Sequence, residues 1–328
     1  METLVYSTHK FEKEYLVNAN GSKHKLRLLD AHLSLETAYL AKGVDAVSIF
    51  VNDNASAPVL EKLKEAGVKF LVLRSAGFNN VDLPKAKQLG FRIARVPEYS
   101  PFAVAEHAVA LMLALNRNLI RSHNRVNDSN FSLDGLTGFD MNGKTAGIIG
   151  TGKIGAIVAK ILHGFGCKIL AVDEHENKAL IKNYEVTYTS YDTLFEQSDI
   201  ITLHVPLLPA TRYLINKDTI RKMKKGVMLI NTSRGGLVNT KDVVDGLKKY
   251  RIGYLGLDVY EEEAALFFED HSEDILQDDI IARLMTFRNV LITSHQAFLT
   301  QTALENIADT TIHNLDCFES GSKCENEL

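Results

Sequence analysis

The sequence predicts an α/β protein made of two doubly wound parallel-sheet domains, and three observations predict it. Short β-rich runs alternate with helical periods, the pattern of parallel βα units rather than of an antiparallel sandwich. A length of 328 residues is that of roughly two domains. In mid-chain the turn GTGKIG follows one apolar run and opens a helical period, starting a second βα series.

In the first hundred residues the expected strands are 4–7, 25–29, 46–51, 70–73 and 92–95, with helices near 12–18, 35–42, 58–66 and 83–89. Gly43, Gly67 and Gly90 stand where helix C-caps belong. Residues 101–125 read as one long bridging helix, with Pro101 at a first helical position. The second series supplies strands at 145–149, 168–172, 200–205, 226–231, 253–258 and 290–293. A last helix at 301–318 packs back on the first domain, so the expected domains are 1–100 with 299–328, and 101–298. Residues 261–279, rich in acid, are expected to form a solvated loop and helix ends.

Composition narrows the function. A formal net charge of −4 with scattered Lys and Arg offers no basic face for nucleic acid. The first nine residues lack the basic start and long apolar stretch of a signal peptide, and no apolar run approaches the ~18 residues needed to span a bilayer. Cys167, Cys317 and Cys324 cannot form a disulfide framework, and the last two are expected in a polar tail where a bridge would stabilise little core. A reducing, cytoplasmic setting follows. No usable ligand spacing stands out among the histidines and cysteines, so no catalytic metal is expected.

Gly150, Gly152 and Gly155 of GTGKIG fit a dinucleotide-binding turn. The first permits the tight bend, the second lets backbone approach a pyrophosphate, and the third lets helix pack on strand, with the helix amino terminus drawing the phosphate charge. Asp173 ends the next apolar run, 23 residues after Gly150. There it can accept bonds from the adenosine ribose and repel the extra phosphate of NADP, so the expected cofactor is NAD. The domain is then of Rossmann type.

Three more strand ends of the second series carry chemistry: Arg234 in NTSRG, Glu263 in DVYEEE and His295 in SHQAF. Ligands of doubly wound sheets bind at that carboxyl edge. A guanidinium can grip a carboxylate through two parallel bonds, an imidazolium can give a proton to a developing alkoxide, and a neighbouring carboxylate can stabilise the charged ring. Together they suit hydride reduction of a small 2-keto acid.

GTGKIG with Asp173, HVPLLPAT, NTSRGGLV, GLDVYEEE and SHQAF resemble the D-2-hydroxyacid dehydrogenases over essentially the whole chain. RSAGFNNVD, VPEYSP and LFFEDHSEDILQDD are similar to its fermentative, D-lactate-forming branch. The resemblance implies a flavodoxin-like substrate domain and pyruvate as substrate. It also implies Arg234 as anchor, His295 as proton donor and Glu263 as its partner, chosen over Glu261 and Glu262 by the pattern of Asp258, Tyr260 and Glu263. Ala76 and Gly77 would offer backbone N–H groups to the substrate, Tyr99 would help hold it, and Phe298 would wall the pocket. On the cofactor side it implies Lys153, Ile154, Asp173, Val205, Pro206, Thr211, Thr232, Ser233 and Asp258. A homo-oligomer, dimer or tetramer, is expected. A larger 2-keto acid, or an NAD-sensing relative without activity, are the alternatives. Glu106 and His107, adjacent on a helix, point about 100° apart and are expected in domain-junction packing, and His204 in a structural role.

Overall fold

Strand and helix alternate along the chain, and among the described residues every pairing between the strands named below is parallel. The computed structural model describes residues 1–263 and 266–328. The chain divides into two compact units, residues 1–100 with 299–328, and residues 101–298.

The first unit contains β1 (Glu2–Val5), α1 (Lys10–Asn20), β2 (Lys25–Leu28), β3 (Ala46–Ile49), α2 (Ala57–Glu65), β4 (Phe70–Leu73), α3 (Leu83–Gln88) and β5 (Arg92–Ala94). The second contains α4 (Pro101–Asn116), α5 (Leu119–Asn127), β6 (Thr145–Ile149), α6 (Lys153–Gly164), β7 (Lys168–Val172), α7 (Lys178–Tyr184), β8 (Thr187–Tyr188), α8 (Tyr191–Gln197), β9 (Ile200–Leu203), α9 (Lys217–Lys222), β10 (Val227–Asn231), α10 (Thr240–Lys248), β11 (Ile252–Leu257), α11 (Asp279–Met285) and β12 (Val290–Ile292). The final helix, α12 (Gln301–Ser320), returns to the first unit.

The first sheet runs β2-β1-β3-β4-β5, a flavodoxin-like order. Its strands are covered on both faces, as parallel sheets require. Val47, Leu71 and Ile93 join the core with α2 and α3, while the alternating Ala46, Val72 and Ala94 pack under Ile312, Leu315 and Phe318 of α12. The second sheet runs β12-β11-β10-β9-β6-β7-β8, the Rossmann order with one further strand. Its strand order reverses between β6 and β9, which places the ends of those strands at the switch point where such sheets bind ligands.

Three expectations need correction. The helix expected over 35–42 is only a short 3₁₀ turn, Ala38–Ala41. Thr37 Oγ1 donates to the His32 carbonyl at 2.6 Å and accepts from the Ser34 N–H at 2.8 Å, a local bonding pattern that competes with helix. The helix expected over 101–125 is two helices, α4 and α5, because Asn118 adopts φ +51°. The two-residue β8 was not expected at all, being too short to show a period.

Candidate active site

At the end of β6, Gly150 has φ +93°, and a Cβ there would lie 2.7 Å from the His204 carbonyl oxygen. A Cβ on Gly155 would lie 1.9 Å from the Gly150 oxygen. These two positions require glycine, one for its turn and both for close approach. Gly152 is different: a Cβ there would meet nothing within 4 Å, so its backbone faces open space at the N-terminus of the twelve-residue α6, where no side chain caps the helix. That uncapped, open cradle fits a pyrophosphate. Lys153 and Ile154 are the first helical residues after it.

Asp173 follows β7. Its Oδ2 accepts from the Thr151 N–H and hydroxyl, and its Oδ1 from the His175 N–H at 3.0 Å. Partial burial acts to raise its pKa, but these donors outweigh burial and hold the carboxyl below its usual range. It therefore stays anionic.

The ends of β9 and β10 are tied together by Ser233 Oγ, which donates to the Val205 carbonyl at 2.7 Å. Beside it the buried Thr232 Oγ1 has no hydrogen-bond partner, an orphaned polar atom that a bound cofactor could satisfy. Thr211 Oγ1 donates to the Pro206 carbonyl at 2.6 Å and accepts from the Leu208 N–H at 2.8 Å, shaping the loop after β9. His204 contacts Thr202 Oγ1 at 2.9 Å, and burial lowers its pKa to about 4, so it is neutral and structural.

Asp258, fully buried, organises the next strand end. Its Oδ1 accepts from Thr293 Oγ1 at 2.6 Å and the Gln296 N–H at 2.9 Å, and its Oδ2 from the Ala297 N–H at 2.9 Å. These bonds brace the loop that carries His295 in a left-handed conformation, φ +52°. Such a strained backbone persists only where its surroundings fix it. The His295 N–H donates to the Asp258 carbonyl at 2.7 Å, completing the brace.

His295 Nδ1 lies 2.9 Å from Glu263 Oε1, and the other carboxylate oxygen of Glu263 accepts from the Tyr260 N–H at 2.9 Å. Both side chains are largely but not wholly buried. Nε2 is left as the ring nitrogen without a protein partner among the described residues. The Arg234 guanidinium has one hydrogen-bond partner among the described residues, the Ser233 carbonyl at 2.7 Å. Its neighbour Gly235 is pressed against the next loop, since a Cβ there would come within 2.1 Å of the Tyr260 carbonyl carbon. The Arg234 loop and the loop of Glu263 are thus packed backbone to backbone. Phe298 is buried at the end of the same unit.

In the first unit the loop after β4 uses the Ala76 carbonyl to accept from Arg95 at 2.5 Å and the Gly77 carbonyl to accept from Ser75 Oγ at 2.7 Å. Neither residue's N–H has a protein partner among the described residues. Tyr99 is part-buried, its carbonyl accepting from Asn306 at 2.5 Å.

Two readings change here. His107, expected in domain-junction packing, bonds inside the second unit: its Nε2 lies 3.0 Å from Thr293 Oγ1 and 3.4 Å from Asp258 Oδ1. Thr293, Tyr260 and His107 were missed as supports, because nothing in the local sequence of α4 signals a partner almost two hundred residues away. The acidic segment supplies a helix end, as expected, with Asp278 capping α11, but it is not only solvated: Asp278 accepts from the Tyr260 hydroxyl at 2.6 Å, and Glu261 accepts from the Thr240 N–H at 3.3 Å.

Residues 109–297 match the family described as D-isomer specific 2-hydroxyacid dehydrogenase, NAD binding domain. The chain belongs to this family and is an NAD-dependent oxidoreductase. It is 51% identical to D-lactate dehydrogenase of Escherichia coli (strain K12), over all of both chains. It is similar in structure to the pyruvate reductase of Chlamydomonas reinhardtii, with TM-score 0.94 and 46% identity over 99% of this chain and 98% of that one. It is also similar to D-lactate dehydrogenase from Aquifex aeolicus complexed with NAD and lactic acid, with TM-score 0.87 and 34% identity over 97% and 96%. No described helix is long and apolar enough to cross a membrane.

Proposed function

We propose that the chain reduces pyruvate to D-lactate with NADH. The observation that carries this reading is the His295–Glu263 pair, 2.9 Å between Nδ1 and Oε1, with Nε2 left for a substrate oxygen. NADH, when bound along Gly150–Gly155 and Asp173, supplies the hydride to the keto carbon. His295 Nε2–H donates its proton to the developing alkoxide, and Glu263 stabilises the imidazolium before transfer. Arg234 grips the substrate carboxylate through its planar fork and so orients the carbonyl. Phe298 keeps the pocket small. The names of the relatives above support the same substrate.

Turnover of a panel of 2-keto acids with NADH and with NADPH, followed by chiral analysis of the product, tests the reading. Pyruvate with NADH should lead and give the D isomer; a larger keto acid in front, or an L product, would reject it. His295→Gln should slow pyruvate reduction by ~10²–10⁴ without unfolding, and near-normal turnover would remove the acid assignment.

A homo-oligomer joined through the second unit accompanies this reading. Phe131 and Leu133 are 73% and 81% exposed and lie close in sequence to the exposed Leu119, Ile120 and Val126 of α5, which supports this reading. Light scattering on the purified chain tests it, a monomeric mass being the adverse result. The location that goes with this reading is the cytoplasm, a reducing compartment that suits the free Cys167, Cys317 and Cys324.

A further inference from the structure

The two carboxyl-terminal cysteines are not in a polar tail, as the sequence suggested. Cys317 and Cys324 are both buried, in a cluster with Ala46, Val72, Leu315 and Phe318. His313 and Cys317 stand four residues apart on α12, so both lie on one face of the helix. This i, i+4 spacing is a ligand pattern that the sequence reading of the histidines and cysteines did not include. The chain then turns at Gly321 and comes back, bringing Glu325 to the same place.

His313 Nε2 is 3.6 Å from Cys317 Sγ and 3.0 Å from Glu325 Oε1, and the three atoms lie within 4.8 Å of one another. We propose that His313, Cys317 and Glu325 form a site for a borderline-soft divalent cation of the zinc type, which clamps the carboxyl-terminal tail to α12. With Zn–S near 2.3 Å and Zn–N or Zn–O near 2.0–2.1 Å, tetrahedral geometry puts sulfur and nitrogen about 3.5 Å apart, and nitrogen and oxygen about 3.3 Å apart. The donors already stand close to those separations. On binding, the cation replaces the proton shared between His313 and Glu325 and the thiol proton of Cys317, releasing them to solvent.

The tail is held just beyond the donor it supplies. The Arg95 N–H donates to the Asn326 carbonyl at 3.1 Å, Arg92 pairs with Glu327 at 2.9 Å, and the Leu328 N–H donates to the Ile93 carbonyl at 2.9 Å. Cys317 is buried while His313 and Glu325 are exposed, so a cation can enter from water and meet the thiolate last. Cys324 Sγ bonds Asn314 Oδ1 at 3.2 Å and is a neighbour, not a ligand. None of these residues belongs to the candidate active site.

The full chain, reduced and freed of metal by chelator, would be titrated with Zn²⁺ by calorimetry and with Co²⁺ by absorption. One Zn²⁺ per chain, a thiolate-to-cobalt charge-transfer band and a raised Tm are expected, with affinity falling on acidification. Outer-shell losses cost 10–100-fold in affinity, so loss of the ligand itself in Cys317→Ser should weaken Zn²⁺ binding by at least ~100-fold. Cys324→Ser and Cys167→Ser should bind as the parent does. His313→Gln, at an exposed position, should also lose the site and guards against misfolding of the Cys317 variant. Absence of the thiolate band, parental binding by Cys317→Ser or His313→Gln, or equal loss in Cys324→Ser would overturn the assignment.

Discussion

Arg74 and Arg234 each stand just beyond a central strand of a parallel sheet, and they meet opposite fates. Arg74, after β4, is 1% exposed and all its nitrogens are used inside the first unit. It donates to both carboxylate oxygens of Glu12 at 3.0 Å, to Ser48 Oγ at 3.1 Å, and to the carbonyls of Tyr6 and Ser7 at 2.8 and 3.0 Å. Arg234, beyond β10, is part-buried and spends one bond on its own neighbour. The same side chain at the same kind of position is a brace where its fork is saturated and, in the function proposed above, the substrate anchor where the fork is left over. Position in the fold brings an arginine to a ligand edge; the surrounding acceptors decide whether it can act there.

The largest effect that would test this contrast is on stability. Arg74→Met strands the buried Glu12 carboxylate and should cost about 3–5 kcal/mol, read as a lower urea midpoint. A cost below about 1 kcal/mol would mean that the buried pair is not a brace. Arg234→Lys should leave stability within ±0.5 kcal/mol. Losing a bidentate charge-assisted contact of about 1.5–3 kcal/mol should instead lower kcat/KM for the keto acid roughly tenfold to a hundredfold. NADH affinity should hardly move, and its parallel collapse would place Arg234 with the cofactor instead.

The imidazoles extend the comparison with a smaller effect. His295 has a carboxylate partner, whereas His204 has only the Thr202 hydroxyl, and burial depresses its pKa from 6.5 to about 4. Between those values the unfolded chain binds a proton that the folded chain refuses, so stability should fall as pH drops from 6.5 toward 4. His204→Gln should flatten that part of the stability profile, measured by urea titration at several pH values; an unchanged slope would assign the acid sensitivity to other groups.

Much of the second unit was legible because its signals are local. Strands 145–149 and 168–172 coincide with β6 and β7, each a continuous apolar run bounded by polar or glycine residues. The helix break at Asn118 was hidden, since the 3.6-residue period continues through it and only a left-handed backbone interrupts it. The supports of the candidate site were equally hidden. Asp258 could be picked from its motif, yet its bonds to Thr293, Gln296 and Ala297 join two strand ends more than thirty residues apart.

By itself the sequence determined the parallel α/β class, the dinucleotide turn and the residues able to carry acid, anchor and partner, because periodicity, glycine placement and side-chain chemistry are properties of short segments. Only the tertiary structure decided which of those side chains had donors to spare. It alone saturated Arg74 against Glu12 and gathered His313, Cys317 and Glu325. Burial and hydrogen-bond saturation depend on residues far apart in the chain, and no local pattern records them.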